Sequence, residues 1–316
     1  MRNGLARLAG YAGAAALLLC ASALAVGCGT TATSGTAGEM ALEETDEARP
    51  APSPSAAAES APGPHQTPRP VERATFPQRI DYGEDPAQYG WLRWPAQPEG
   101  GPARLPIVVL IHGGFWSEPW DYRLMTEMSE RLLAEGYGSF NIEFRRVGGR
   151  GGWPGTFDDV SAAIAHLRIL AQEHPIDLDR VVVAGHSSGG HLALWAVGAA
   201  GAHADVLRPA RAVGIAAVTD LDAFSAAVTF LGGTRSAVPE RWAFAEPSLD
   251  PAVVELVHGA DDDIVPLDTV TNATAAGVGV TDLPAADHFD VIDPGPTLDQ
   301  VVKAVIGAVE ATRTPG

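Results

Sequence analysis

A serine, a run of aspartates and a histidine follow one another along the chain in an order that suits nucleophilic catalysis. Ser187 lies in the glycine-rich segment Gly185–Gly190, Asp261–Asp263 follow an apolar run, and His288 lies nearer the C-terminus. A serine hydroxyl is a weak nucleophile at neutral pH, so it needs a base to accept its proton and a carboxylate to orient that base. When the serine lies on a strand-to-helix turn, the chain order of such a triad is serine, acid, histidine, which is the order here.

The residues around Ser187 predict a tight turn between a buried strand and a helix. The Val-rich segment Arg180–Ala184 is typical of a buried strand, and the Ala- and Leu-rich segment His191–Ala196 is typical of a helix. Glycines on both sides let the backbone turn sharply and raise the serine hydroxyl above the sheet. The aspartates and the histidine follow the predicted strands Val253–Val257 and Gly279–Leu283, so we expect all three groups at one edge of a sheet.

Strands and helices alternate along the chain, which predicts an α/β protein with a mostly parallel sheet and helices on both faces. The other predicted strands are Gln78–Tyr82, Tyr89–Trp94, Leu105–Ile111, Tyr137–Phe144 and Ala212–Val218. The other predicted helices are Tyr122–Ala134, Asp158–Gln172, Pro266–Ala276 and Thr297–Ala311. The residues of the second of these helices that are expected to face the core are Val160, Ile164, Leu167 and Ile169. Asp158 and Asp159 are expected to cap that helix, and the stretch from Asp220 to Asp250 is expected to be irregular.

Four segments together resemble the motifs of an α/β-hydrolase of the esterase and kynurenine formamidase type. His112–Trp116 is similar to the oxyanion motif H-G-G-x-W, and Gly185–Gly190 is similar to the G-H-S-x-G-G turn. His258–Pro266 is similar to the acid loop H-G-x-x-D-x-x-V-P, and His288–Pro294 is similar to H-F-D-x-x-D-P. The resemblance covers about residues 78–312 and implies the α/β-hydrolase fold with a minimal cap.

The resemblance also implies a role for each residue of the candidate triad. Ser187 aligns with the nucleophile, His288 with the base and Asp262, the middle aspartate, with the acid that orients the base. Asp263 stays an alternative acid, because the conformation of the loop does not follow from its sequence. Ser188 is distinguished from the nucleophile because only Ser187 has a glycine two residues away on each side.

The negative charge that develops on the substrate oxygen must be held by hydrogen-bond donors. The expected donors are the backbone N–H groups of Ser188 and, by resemblance, of Gly114 and Phe115. The residues predicted to line the substrate site are Trp116 and His186, with Trp120 and Trp153 as further possibilities.

Composition excludes several other classes of function. The net charge is −18 and no Lys/Arg cluster is present, which argues against a nucleic-acid partner. No Cys/His spacing typical of zinc is found, so we expect no metal site. No cofactor is expected, and the expected partner is a small-molecule ester or amide substrate.

The first 72 residues of the chain predict export. Residues 1–28 combine basic residues with a short apolar run, which is typical of a signal peptide, and their end resembles a bacterial lipobox with Cys28 as the lipidated residue. Ordinary signal cleavage is the alternative, because the leucine of the lipobox is displaced by one position. Residues 29–72 are rich in Ala, Pro, Ser, Thr and Glu and predict a flexible tether to a hydrolase domain at 73–316. The expected location is the outer face of a bacterial membrane, held by the lipid anchor only, or otherwise the periplasm or medium.

Three hypotheses for function follow. The main one is a serine hydrolase that cleaves small carboxylic esters through an acyl-enzyme intermediate. The second, suggested by His112–Trp116, is a formamidase acting on N-formylkynurenine. The third is a catalytically inactive, surface-tethered binding protein with the same fold.

Overall fold

A computed structural model describes residues 77–96, 104–198 and 207–313, which form one eight-stranded sheet with helices packed against it. The predicted signal segment, Cys28 and the predicted tether lie outside these residues and stay predictions. Within the described residues, no helix combines the length and apolar composition needed to cross a bilayer.

The sheet is parallel apart from its first two strands. The strands are β1 (Gln78–Asp81), β2 (Tyr89–Arg93), β3 (Leu105–Ile111), β4 (Gly138–Ile142), β5 (Ile176–His186), β6 (Arg211–Ile215), β7 (Val254–Gly259) and β8 (Gly279–Leu283). Their order across the sheet is β1-β2-β4-β3-β5-β6-β7-β8, with β1–β2 and β2–β4 antiparallel and all other pairs parallel. The predicted mostly parallel sheet is therefore confirmed.

The described residues form seven helices, six between strands and the last after β8. They are α1 (Thr126–Ala134), α2 (Gly155–Glu173), α3 (Ser188–Val197), α4 (Ala226–Leu231), α5 (Pro239–Ala245), α6 (Thr271–Ala275) and α7 (Pro296–Glu310). Short 3₁₀ turns precede α1, α4 and α6 at Tyr122–Met125, Leu221–Ala223 and Leu267–Val270.

The two faces of the sheet have separate apolar cores because successive side chains of a strand point to opposite faces. Val109 and Val183 belong to the core that contains the buried side chains of α2 and α3. Val108 and Val182 belong to the core that contains those of α1 and α7. Helices on both faces leave the carboxyl edge of the parallel strands as the place where loops can form a site.

Three predictions about local structure were wrong. Ile169 is 53% exposed, because it lies on the opposite side of α2 from Leu167, and Leu170 is buried instead. Asp159 does not cap α2, which already begins at Gly155; it is fully buried and forms an ion pair with Arg145 at 2.6 Å. The stretch from 220 to 250 is not irregular, since it contains α4 and α5.

We expect Gly185→Ala to destabilise the protein, because a Cβ on Gly185 would lie 2.1 Å from the carbonyl oxygen of Gly189. Overpacking of this kind costs about 1–3 kcal/mol. Gly307→Ala is the control: Gly307 is exposed in α7, and nothing lies within 4 Å of the added Cβ. Alanine there should raise the free energy of unfolding by about 0.5–1 kcal/mol. Urea denaturation followed by circular dichroism measures both, and equal effects would contradict the steric account.

Candidate active site

Ser187 lies on a sharp turn between β5, which ends at His186, and α3, which begins at Ser188. Its backbone has φ 56° and ψ −122°, a conformation that is unfavourable for a residue with a Cβ. The flanking glycines are required by close backbone contacts. A Cβ on Gly189 would lie 2.3 Å from the carbonyl oxygens of Ile111 and His112, so α3 can approach β3 only because that position is glycine.

His288 and Asp262 form the hydrogen-bonded pair that a serine nucleophile needs. The Nδ1 atom of His288 lies 2.7 Å from Oδ2 of Asp262 and donates to it. The other carboxylate oxygen, Oδ1, accepts from the backbone N–H groups of Ile264 at 2.9 Å and Val265 at 2.8 Å. With its proton on Nδ1, neutral His288 has an unprotonated Nε2 that can act as a base.

Burial and hydrogen bonding distinguish the three aspartates of the loop after β7. Asp262 is 5% exposed, whereas Asp261 and Asp263 are exposed, and Asp262 is the one paired with His288. Burial tends to raise the pKa of Asp262, but hydrogen bonding to His288, the histidine charge and the two backbone N–H groups lower the pKa overall. Asp262 is therefore held as a carboxylate, the form that can stabilise a protonated base.

Ser187 and His288 line one narrow crevice. The remaining lining residues are Gly114, Phe115, Trp120, Leu124, His186, Ile264 and Phe289. Most of these residues are apolar, and Ser187 and the two histidines are the exceptions. The walls of the crevice beside Ser187 are therefore mostly apolar.

The loop after β3 supplies free hydrogen-bond donors at the same crevice. Gly114 has φ 116°, and a Cβ there would lie 2.2 Å from the Trp120 side chain. Among the described residues, neither the Gly114 nor the Phe115 N–H group has a hydrogen-bond acceptor. The Ser188 N–H group is the first of α3, and the first N–H groups of a helix have no acceptor within that helix. These are the three donors that the sequence predicts.

His186 lines the crevice and is hydrogen-bonded to the backbone of His288. Its Nε2 atom donates to the carbonyl oxygen of His288 at 2.9 Å, and its Nδ1 atom is buried with no partner in the described structure. Burial, followed by repulsion from His288, lowers the pKa of His186 to about 3. His186 is therefore neutral and does not compete with His288 for a proton near neutral pH.

The Trp116 side chain lies outside the crevice, in contrast to the expected role in substrate binding. It is 1% exposed, stacks on Phe230 with ring centroids 4.8 Å apart, and donates from Nε1 to Nδ1 of His191 at 3.2 Å. Packing on an aromatic core residue buries the indole, and Trp120 occupies the crevice wall in its place. Trp153 packs on Phe157 and Phe244 and does not line the crevice either.

A polar network joins the loop after β3 to the residues that follow β4, and sequence reasoning missed its charged members. His112 contacts the Gly113 carbonyl oxygen through Nδ1 at 2.7 Å and Glu143 through Nε2 at 3.2 Å. Glu143 also pairs with Arg146, whose guanidinium binds Glu118 at 2.7 Å. Although burial raises the pKa of Glu143, the charge and hydrogen bond of His112 and the charge of Arg146 lower the pKa overall. Within the described residues, no group of His, Cys, Asp and Glu side chains is arranged to hold a metal ion.

The fold and this site define an α/β-hydrolase. Esterase B from Lactobacillus rhamnosis is similar in structure, with a TM-score of 0.62 and 19% identity, covering 75% of this chain and 85% of that one. The carboxylesterase Cest-2923 from Lactobacillus plantarum WCFS1 has a TM-score of 0.59 and 18% identity, covering 76% of this chain and 99% of that one. At this identity the likeness concerns the fold, and it confirms the predicted α/β-hydrolase architecture.

The family follows from the sequence match. The BD-FAE model matches residues 96–275, more than half of the chain, and the protein therefore belongs to the BD-FAE family of the α/β-hydrolase superfamily. Esterase LipC from Mycobacterium tuberculosis is 27% identical over 284 residues, covering 75% of this chain and 67% of LipC. The homologues include esterases, which at the family level supports hydrolysis of esters by this protein. The finer resemblance to kynurenine formamidases stays a prediction.

We expect the stability of the protein to fall as the pH drops below about 6.5. Burial lowers the pKa of His186 to about 3 and of His191 to about 4, from 6.5 in an unfolded chain. Between these values the unfolded chain binds protons that the folded protein cannot, so each histidine destabilises the fold by about 1.4 kcal/mol per pH unit as the pH falls.

Urea midpoints between pH 4.5 and 7.5 measure this dependence. His191→Gln removes one titrating group, so the slope of the unfolding free energy against pH should fall by the contribution of one proton, about 1.4 kcal/mol per pH unit. The lowered pKa of Asp262 acts in the same direction, but in a lower pH range that begins near 4. Stability that is constant from pH 7 to pH 5 would show that these histidines are not held neutral.

Proposed function

We propose that the protein is a serine esterase that cleaves small carboxylic esters through Ser187, His288 and Asp262. The observation that carries the proposal is the His288–Asp262 pair, 2.7 Å apart, beside the crevice that Ser187 lines. An imidazole held by a buried carboxylate in a serine-lined crevice is the arrangement that activates a hydroxyl for attack on a carbonyl carbon.

The reaction proceeds in two halves. Ser187 Oγ attacks the ester carbonyl while His288 Nε2 accepts the serine proton, and Asp262 stabilises the resulting imidazolium. The alcohol leaves with that proton, which breaks the ester bond and leaves the acyl group on Ser187. Water then attacks the acyl-enzyme, again with His288 as base, and releases the acid with regeneration of the serine.

The oxyanion of each tetrahedral intermediate accepts hydrogen bonds from the N–H groups of Gly114, Phe115 and Ser188. Two features support this role: the first two N–H groups have no acceptor in the described structure, and the third is at the start of α3. A single donor of this kind contributes about a hundredfold or more to the rate.

The crevice and the relatives favour small esters over the alternatives. The narrow, mostly apolar crevice beside Ser187 favours a short acyl or alcohol group over a bulky one. LipC and the structural neighbours above are named esterases, which favours an ester over a formamide as substrate. The complete hydrogen-bonded pair of His288 and Asp262 argues against the inactive binding protein.

We propose further that the enzyme acts outside the cytoplasmic membrane, attached by a lipid on Cys28. The support is the signal-like composition of residues 1–28 and the Ala/Pro-rich segment at 29–72, which would separate the domain from the membrane surface.

We expect Ser187→Ala to abolish hydrolysis of p-nitrophenyl acetate by the purified protein. Asp262→Asn should lower kcat by about 10⁴, because the amide has no charge to stabilise the imidazolium. Its oxygen would accept from the two backbone N–H groups, so its NH₂ would donate to Nδ1 of His288 and favour the wrong tautomer. Asp263→Asn is the matched control, since Asp263 is an exposed neighbour in the same loop, and it should keep near wild-type kcat. Unchanged activity in Ser187→Ala, or equal losses in the two aspartate variants, would refute the proposed triad.

We expect Cys28→Ser in the full-length chain to move the enzyme from the membrane fraction to the soluble exported fraction. The serine side chain cannot carry the thioether-linked lipid that anchors a bacterial lipoprotein. Cys20→Ser, the same substitution in the apolar run before the lipobox, is the control and should leave the enzyme in the membrane fraction. Full-length protein whose fractionation does not respond to Cys28→Ser would contradict the lipid anchor.

A further inference from the structure

We propose that Ser188 and His191 of α3 are positioning residues that fix Trp116. They thereby orient the N–H groups of the loop after β3, Gly113–Ser117, which forms the oxyanion loop. The inference rests on the proposed function, since it explains how the oxyanion site of that reaction is held. Helix α3 would then have two tasks: it follows the nucleophile directly, and it holds the loop that stabilises the transition state.

Two hydrogen bonds connect α3 to Trp116. The backbone N–H of Trp116 donates to Oγ of Ser188 at 3.3 Å, and its indole Nε1–H donates to Nδ1 of His191 at 3.2 Å. Ser188 and His191 are three residues apart, so they lie on the same side of the helix one turn apart. One turn of α3 thus binds both the backbone and the side chain of a single loop residue.

The loop needs such support because its backbone is strained. Phe115 has φ 55° and Trp116 has φ 56°, so two successive residues with side chains lie in the left-handed region. Conformations of this kind persist only where surrounding contacts hold them. The Phe115 N–H group is one of the oxyanion donors, so a change at Trp116 would move that donor.

The acceptor on His191 is fixed by a third contact. Its Nε2 atom lies 2.7 Å from the carbonyl oxygen of Ala245 in α5, and a carbonyl can only accept. The ring proton is therefore on Nε2, and Nδ1 is left as the acceptor that the indole needs. Burial also lowers the pKa of His191 to about 4, which keeps this arrangement at neutral pH.

A second tryptophan separates positioning from general stability. Trp195 lies in α3 and, like Trp116, is 1% exposed. It donates from Nε1 to the Phe244 carbonyl oxygen at 3.0 Å and packs on Phe157 at 4.7 Å. It makes no hydrogen bond to the oxyanion loop, so Trp195→Phe removes a comparable buried indole without the proposed effect.

The test compares Trp116→Phe with Trp195→Phe by ester kinetics and by inhibition with a trifluoromethyl ketone, whose adduct carries an oxyanion. Trp116→Phe should lower kcat about tenfold or more with little change in KM, and weaken ketone binding by a similar factor. Trp195→Phe should keep wild-type kcat and ketone affinity, even if it lowers the melting temperature as much as Trp116→Phe does.

Ser188→Ala provides a second route if Trp116→Phe does not fold, because it removes one acceptor and keeps the Ser188 N–H group. It should lower kcat and weaken ketone binding in parallel. In a double-mutant cycle, the loss of kcat in Trp116→Phe/His191→Phe should be smaller than the two single losses combined in free energy. The reason is that each single variant already removes the same indole–imidazole hydrogen bond.

The outcomes separate this inference from the proposed function. A wild-type protein without Ser187-dependent hydrolysis refutes the proposed function. An active wild type whose Trp116→Phe and Ser188→Ala variants keep kcat and ketone affinity refutes the positioning role alone. An equal loss of kcat and ketone affinity in Trp195→Phe also refutes it, since the effect would then be one of packing.

Discussion

The close packing of backbone around Ser187 is the constraint on which the rest of the site depends. Gly185, Gly189 and Gly190 allow β5, α3 and β6 to approach within distances that any side chain would block: a Cβ on Gly190 would lie 2.5 Å from Cβ of Ala217. Backbone hydrogen bonds from Ser187 N–H to Ile215 at 2.9 Å and from Val218 N–H to Ser187 at 3.2 Å fix the turn from both sides. Strain of about 1–3 kcal/mol at such a turn is retained because these contacts over-determine it.

Around that turn, burial and hydrogen bonding determine which polar groups are charged. His186 and His191 are neutral because burial lowers their pKa values to about 3 and about 4. Asp262 remains ionised because His288 and two backbone N–H groups compensate for burial. The Nδ1 atom of His288 is hydrogen-bonded to Asp262, while neutral His186 and His191 donate to backbone carbonyl oxygens.

The parts of the structure that were predictable from sequence are those with a local signal. The buried strand before Ser187 is a continuous apolar run, and the triad candidates lie in short motifs with fixed spacing, so their order and edge of the sheet follow directly. Ile169 was misplaced because a run of apolar residues leaves the helical phase ambiguous near its end.

The contacts that sequence reasoning missed join distant segments. His191 meets Trp116 from 75 residues away, and His112 meets Glu143 from 31 residues away, so no local spacing marks either pair. The direction of the Trp116 side chain depends on the left-handed backbone of the oxyanion loop, which a motif of residue types does not specify. Helices α4 and α5 are too short, at six and seven residues, to show a clear period.

The proposed mechanism requires Ser187 to be an activated nucleophile in the folded protein. The most direct measurement is mass-spectrometric mapping of the adduct formed when the folded protein reacts with a fluorophosphonate. We expect one phosphonyl group per chain, on the peptide that contains Ser187, with no adduct after unfolding in urea before reaction. An unmodified Ser187 in the folded protein, or an adduct on another residue, would contradict it.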